Sequence, residues 1–379
     1  MLPIVVVSAF RGTAITHLEC LNTMEQRQTK GRRAWRVIRW MGMSAAVALA
    51  VLGTAGATWN FLAIRRDRAA NPPPGRIYDV NGYAMHIYCT GTGSPTLVLE
   101  SGHGEDFTVW GKVQPSLSRV TRTCSYDRAG FGWSDPQPGE RDAIHIADQL
   151  HALLMQAGIT EPIVLEGHSG GGLFALVYAS KYPRDIAGLV LVDAYTPSPL
   201  PEPPFAVALD HHSSAEFAFV KATVALGVAR LMGQCDSIPS GLEAYAGWIK
   251  ASECDYPQLD AYVREDHALA DSQKEGAHAG PFGNMPVLIL SQDTRRAIPA
   301  FLSKRITAKD WQWYGAVHDQ EQAAYLQLST RSRRVIATGS GHYIHYDRPD
   351  VVIQQTITLV RQIRNDTDSL VGAPPGIEK

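Results

Sequence analysis

The stretch Leu165-Glu166-Gly167-His168-Ser169-Gly170-Gly171-Gly172 constrains this chain more than any other. An apolar run, 162–165, leads into it, and a helical pattern, 173–182, leads out. Between them lies Gly-x-Ser-x-Gly. A serine held at a sharp strand-to-helix turn needs small residues on both sides. They let the backbone bend into a strained conformation and let a carbonyl group approach. The N-terminus of the following helix then favours negative charge beside the serine. Serine is a poor nucleophile at its own pKa, so the pattern acquires meaning only with a base and a group that orients the base.

The surroundings supply an ordered scaffold for such a turn. Residues 76–80 and 83–89 are β-type runs joined by Asn81-Gly82, which reads as a hairpin. Short buried strands are expected at 96–100, 120–126, 162–165 and 188–192. A helix is expected at 141–157, where Ile144, Ala147, Leu150, Leu153 and Leu154 recur at helical spacing. From 194 to 285 the alternation stops. This segment opens on a cluster of prolines and continues with a predicted helix at 216–232, apolar nearly all round, and shorter ones at 242–250 and 259–270. The sheet resumes at 286–290 and 334–337, with helices at 321–328 and 350–364. Strands alternating with helices predict an α/β fold with a mostly parallel sheet covered on both faces.

Residues 40–64 form a run of 25 without a charge, rich in Ala, Val and Leu. At about 1.5 Å per residue it is long enough to cross a bilayer core of about 30 Å. Six basic residues (Arg27, Lys30, Arg32, Arg33, Arg36, Arg39) precede it and four (Arg65, Arg66, Arg68, Arg76) follow. That bias predicts a single-pass membrane anchor with the N-terminus inside and the rest of the chain extracytoplasmic. The expected organisation is a basic tail at 1–39, the span at 40–64, a linker at 65–75, one domain at 76–365 and a disordered tail at 366–379. The formal net charge of −2 argues against a nucleic-acid partner. No dinucleotide fingerprint and no phosphate-binding loop motif occurs, so no cofactor is expected. Asp210, His211 and His212 are adjacent, but neighbours in sequence do not form a ligand set by themselves, and no metal is expected.

Five pieces in one order carry a resemblance over 76–364. They are Leu97-Val98-Leu99-Glu100-Ser101-Gly102-His103-Gly104, Tyr126-Asp127-Arg128-Ala129-Gly130-Phe131-Gly132-Trp133-Ser134, Gly167-His168-Ser169-Gly170-Gly171, Gly188-Leu189-Val190-Leu191-Val192-Asp193 and Gly339-Ser340-Gly341-His342. The chain resembles the α/β-hydrolase superfamily. The resemblance implies an eight-stranded, mostly parallel sheet with a helical lid at 194–285, inserted after the sixth strand. It implies Ser169 as nucleophile and His342 as base, with His345 a weaker rival for the base. The expected acid is Asp193, at a strand end, with Asp293, after the next strand, as the alternative. The oxyanion hole would use the backbone N–H groups of Gly170 and His103, with Ser101 a departure from the family's usual residue. His168 packs around the elbow, and Asp127 belongs to a structural turn. In the family the strands bearing Cys89 and Cys124 are neighbours, and Cys235 and Cys254 both lie in the lid. Two disulfides or four buried thiols fit that placement equally. The implied activity is hydrolysis of a carboxylic ester or related acyl bond in a small, apolar molecule. Acyl transfer to another acceptor and non-catalytic ligand capture are the alternatives.

Overall fold

A computed structural model describes residues 7–197, 214–300 and 302–371. Residues up to Asn60 cluster as one compact unit and those from Phe61 onward as another.

Helix α1 runs from Val7 to Ala70. It passes the expected boundaries at 39/40 and 64/65 without a break. Arg, Lys and Gln sustain a helix as well as the apolar run does, and the helix ends only before Pro72. Residues 7–39 and 65–70 are therefore helical. From Trp35 onward α1 is long and apolar enough to cross a membrane, and its large apolar side chains between Trp35 and Leu52 are exposed.

The second unit is built on strands β1 (Arg76–Val80), β2 (Tyr83–Thr90), β3 (Leu97–Glu100), β4 (Thr123–Tyr126), β5 (Ile163–His168), β6 (Ile186–Val192), β7 (Val287–Gln292) and β8 (Ser332–Ala337). They form one eight-stranded sheet in the order β1-β2-β4-β3-β5-β6-β7-β8. Only the β1–β2 and β2–β4 pairings are antiparallel. Side chains of a strand alternate between its faces. Here both sets are apolar and buried: Val98, Leu165, Leu189, Leu191 and Ile289 enter one core cluster, and Leu97, Leu99, Val164, Val190, Val192, Leu288 and Leu290 enter the other. Continuous apolar strands are what a sheet covered on both sides requires.

Helix α2 (Ala143–Gln156) is capped by the Asp142 side chain, which accepts from the His145 N–H, and buries Ile146, Ala147, Leu150, Leu153 and Leu154. Helix α3 (Gly170–Lys181) follows β5 directly. Between β6 and β7 lies a helical insertion: α4 (Ser214–Ala225), α5 (Val228–Leu231), α6 (Ala246–Ser252), α7 (Tyr256–His267) and α8 (Leu269–Gly276). The single helix expected at 216–232 is broken at Gly227, which adopts a left-handed φ of 74°. The segment bearing Asp210, His211 and His212 lies outside the described residues. Helix α9 (Ala308–Ala324) starts with a Thr307–Asp310 capping box, well before the helix expected from 321. Helix α10 (Pro349–Val371) passes the expected end at 365, since no Pro or Gly intervenes before Gly372. Two disulfides form, Cys89–Cys124 between paired residues of β2 and β4, and Cys235–Cys254 within the insertion.

Candidate active site

Strand β5 and helix α3 meet at Ser169, whose φ of 53° and ψ of −124° are strained for a residue with a Cβ. The flanking glycines make room for that turn. A Cβ on Gly167 would lie 2.4 Å from the Gly171 carbonyl oxygen, and one on Gly171 would lie 2.3 Å from that of Ser101. The Ser169 N–H donates to the Val192 carbonyl at 3.0 Å and the Tyr195 N–H to the Ser169 carbonyl at 3.0 Å. The turn is thus tied to the end of β6.

His342 reaches this turn from the loop after β8. Its Nε2 lies 2.9 Å from Ser169 Oγ and its Nδ1 lies 2.7 Å from Asp193 Oδ2. Asp193 follows β6 at a φ of 45° and is buried. Its other oxygen, Oδ1, accepts from the Gln292 N–H at 2.8 Å and lies 3.0 Å from His318 Nε2. Burial alone would raise the Asp193 pKa; the charges and hydrogen bonds of His318 and His342 outweigh it and hold the carboxyl below the ordinary range. The alternative acid, Asp293, is engaged elsewhere. It accepts from the Gly339 N–H at 3.1 Å and from Arg295 Nε at 3.0 Å. The rival base, His345, is buried with no hydrogen-bond partner on either ring nitrogen among the described residues.

The loop after β3 closes the other side. His103 N lies 3.4 Å from where a Cβ on Gly170 would be, so the two expected oxyanion donors belong to abutting backbones. Gly170 opens α3, and first-turn N–H groups have no partner within their helix. His168 does more than pack around the elbow. Its Nδ1 lies 3.1 Å from Glu105 Oε2 and its Nε2 lies 3.2 Å from the His342 carbonyl oxygen. The ring thereby joins the loop of His103 to the loop of His342. Burial pushes Glu105 up, but the nearby charge of His168 dominates and holds it at about 2. Glu105, His168 and His345 bring ligand-type atoms within 4.8 Å of one another; the Glu105–His168 pair is satisfied without an ion. Asp127 accepts from the Phe107 and Trp133 N–H groups at 2.9 and 3.0 Å and bonds His86 Nδ1 at 2.7 Å.

Two further groups carry the site. Arg128 is buried and donates to the Ser101 and Gly102 carbonyls at 2.6 and 2.7 Å, to Glu100 at 2.8 Å and to Glu265 of α7 at 2.9 and 3.0 Å. It fastens the insertion to the loop of His103. His318 lies on one stripe of α9 with Tyr314 and Gln322, each four residues apart. The stripe reaches Gln292 at 3.0 Å through Tyr314 and the Ala194 carbonyl at 2.8 Å through Gln322. That spacing of polar residues is the one sequence signal for His318. A cavity of about 580 Å³ is lined by Gln292, Asp293, Arg296, Trp311 and Gly315 among others, not by Ser169 or His342.

The family model of the alpha/beta hydrolase fold matches residues 95–349. The chain belongs to the α/β-hydrolase family. Within this family, 2-hydroxy-6-oxo-2,4-heptadienoate hydrolase of Pseudomonas putida is 27% identical over 260 residues, covering 62% of this chain and 84% of that protein. The uncharacterized protein YbdG of Bacillus subtilis is 27% identical over 165 residues, and the match spans only 51% of its length and 43% of this chain. Among solved α/β hydrolases, a thermophilic esterase from Thermogutta terrifontis superposes with a TM-score of 0.53 at 23% identity, covering 76% of this chain and 97% of that one.

Proposed function

We propose that this α/β hydrolase cleaves a carboxylic ester or related acyl bond of a small, apolar molecule through an acyl-enzyme. One observation carries the reading. Ser169, in its strained turn, His342 and buried Asp193 form a continuous hydrogen-bonded chain of 2.9 and 2.7 Å. In the proposed cycle, Ser169 Oγ forms a bond to the substrate carbonyl carbon while His342 Nε2 takes its proton. Asp193 accepts from Nδ1–H, fixes the tautomer and stabilises the imidazolium. The N–H groups of Gly170 and His103 receive the developing oxyanion. Collapse breaks the acyl–oxygen bond, and the leaving alkoxide takes the proton from His342. Water then repeats the sequence on the acyl-enzyme and frees Ser169.

The same reading places the domain outside the cytoplasm, anchored by residues 40–64. The apolar composition of α1 and the two disulfides, which persist in oxidising compartments, support that placement. Labelling with a fluorophosphonate probe tests the chemistry. The native protein should label and turn over short esters. Ser169→Ala should do neither, with a loss of roughly four to six powers of ten. Unchanged turnover in the variant would reject the serine mechanism.

A further inference from the structure

Helices α4 and α5 are apolar on both sides. Inward, Val224 and Ala229 pack against the Cys235–Cys254 pair, and Phe217 meets the ring of Tyr262 at 5.9 Å, which itself lies 4.6 Å from the ring of His103. Outward, Phe219, Val220, Leu226, Val228, Leu231 and Met232 are all exposed within fourteen residues, with Phe219, Leu231 and Met232 at 70, 77 and 70%. Single exposed apolar residues are ordinary on a soluble surface. Four on this pair of helices and two at their C-terminal ends, so close in sequence, form a patch, and a patch of this kind marks a contact.

The chain itself says what covers it. Arg230, between buried Ala229 and exposed Leu231, donates to Asp67 at 2.7 Å, and both side chains are 7% exposed. Arg68 donates to Asp255 at 2.7 Å and to the Gly132 carbonyl at 2.7 Å. Asp67 and Arg68 stand three and four residues past Ile64, where the uncharged run ends. Phe61 and Leu62, one turn earlier, are also exposed. Helix α5 is therefore pinned, through a buried ion pair, close to the point at which the chain leaves its apolar run. Exposed Arg65 and Arg66 mark that point with the charge that lipid headgroups attract.

We propose that this outer face is a second membrane contact, in which the apolar side chains of α4 and α5 lie in the lipid surface beside the anchor. The inference rests on reading residues 40–64 as a membrane span. Apolar side chains docked in this way reach about 5–10 Å into the headgroup–acyl boundary. Because the inner side of the same helices reaches His103 through Phe217 and Tyr262, lipid contact would bear on the loop proposed to supply the oxyanion donor.

The test uses the full chain with Cys20→Ser, which leaves the four disulfide cysteines and one introduced thiol. A bimane fluorophore is attached at Leu231→Cys, at Leu49→Cys within the span, or at Met155→Cys, an exposed position of α2, and each protein is reconstituted in phosphatidylcholine vesicles with brominated acyl chains. The Leu231 and Leu49 labels should lose about half of their emission or more, and the Met155 label almost none. Quenching at Leu49 without quenching at Leu231 would overturn the docking face and keep the span. No quenching at Leu49 would overturn the span, and the proposal with it. A Leu231 label shielded from both bromolipid and aqueous iodide would mean that protein, not lipid, covers the face, which also overturns it.

Discussion

His318 Nε2 lies 3.0 Å from the Asp193 oxygen that His342 does not use. The carboxylate is thus gripped on both oxygens by histidines from different elements, with the Gln292 N–H as a third donor. A buried carboxylate needs each of these bonds, because a lone-pair site left unpaired away from water costs about 1–3 kcal/mol. Replacing His318 with Phe should raise the Asp193 pKa and loosen the His342 ring. We expect kcat/KM for a short ester to fall about tenfold, with the acid limb of the pH–rate profile moving upward. His318→Gln, which keeps a donor, should recover part of the loss. Wild-type kinetics in the Phe variant would show that Asp193 needs no second histidine.

The two candidate acids make a sharper contrast. Asp193→Asn removes the negative charge facing His342 Nδ1 and lets the wrong imidazole tautomer form, and should cost about four powers of ten in kcat. Asp293 serves Gly339 and Arg295 instead. Asp293→Asn should therefore stay within about tenfold of the native rate, its effect passing through the loop that carries His342. Equal losses, or the reverse ranking, would reject Asp193 as the acid.

How far the site is readable from sequence depends on separation along the chain. Gly167, Ser169 and Gly171 announce a turn because its sterics are local. Asp193 and His342 are readable through the family resemblance, Asp193 directly after an apolar strand run and His342 in the Gly-rich loop after the last strand. Arg128 and Glu265 are 137 positions apart, and nothing in either neighbourhood points to the other. His318 hides in a helix whose polar and apolar residues show no clean stripe apart from Tyr314, His318 and Gln322. The break at Gly227 is likewise invisible in an apolar pattern that continues on both sides. The unbroken course of α1 is missed because a change from charged to apolar composition resembles a boundary while the backbone remains equally helical.

Glu265 gives a prediction about acid stability. It is buried against Arg128 and Arg141. Burial pushes its carboxyl up, but the two guanidinium charges win and hold it at about 2, below its ordinary 4.5. A depressed native pKa stabilises the fold above the unfolded value and loses that contribution as pH falls. Glu265→Gln should destabilise by about 3 kcal/mol at pH 7, since it leaves buried guanidinium charge poorly compensated. The gap between variant and native melting points should narrow as pH drops from 4.5 toward 2. A gap independent of pH would show that the ion pairs contribute nothing that titrates.

Glu166 should behave with the opposite sign. It lies on β5, fully buried, with Thr356 Oγ1 donating to Oε2 at 3.0 Å and no partner for Oε1 among the described residues. Burial raises its pKa to about 8. Below its ordinary 4.5 both folded and unfolded chains hold the proton, and the group imposes no penalty. Between 4.5 and about 8 only the folded chain holds it, so stability declines with rising pH, by about 1.4 kcal/mol per unit. By pH 7 the accumulated loss is about 3 kcal/mol. Glu166→Gln keeps the shape and a hydrogen-bond acceptor for Thr356 but has nothing to ionise. Melting curves of the two full-length proteins should nearly coincide at pH 4.5 and diverge steadily up to pH 8, the Gln variant being the more stable. A native protein that gains on the variant as pH rises would mean that Glu166 is ionised in the fold and paired with a charge. That would contradict an apolar setting with Thr356 as its hydrogen-bond partner.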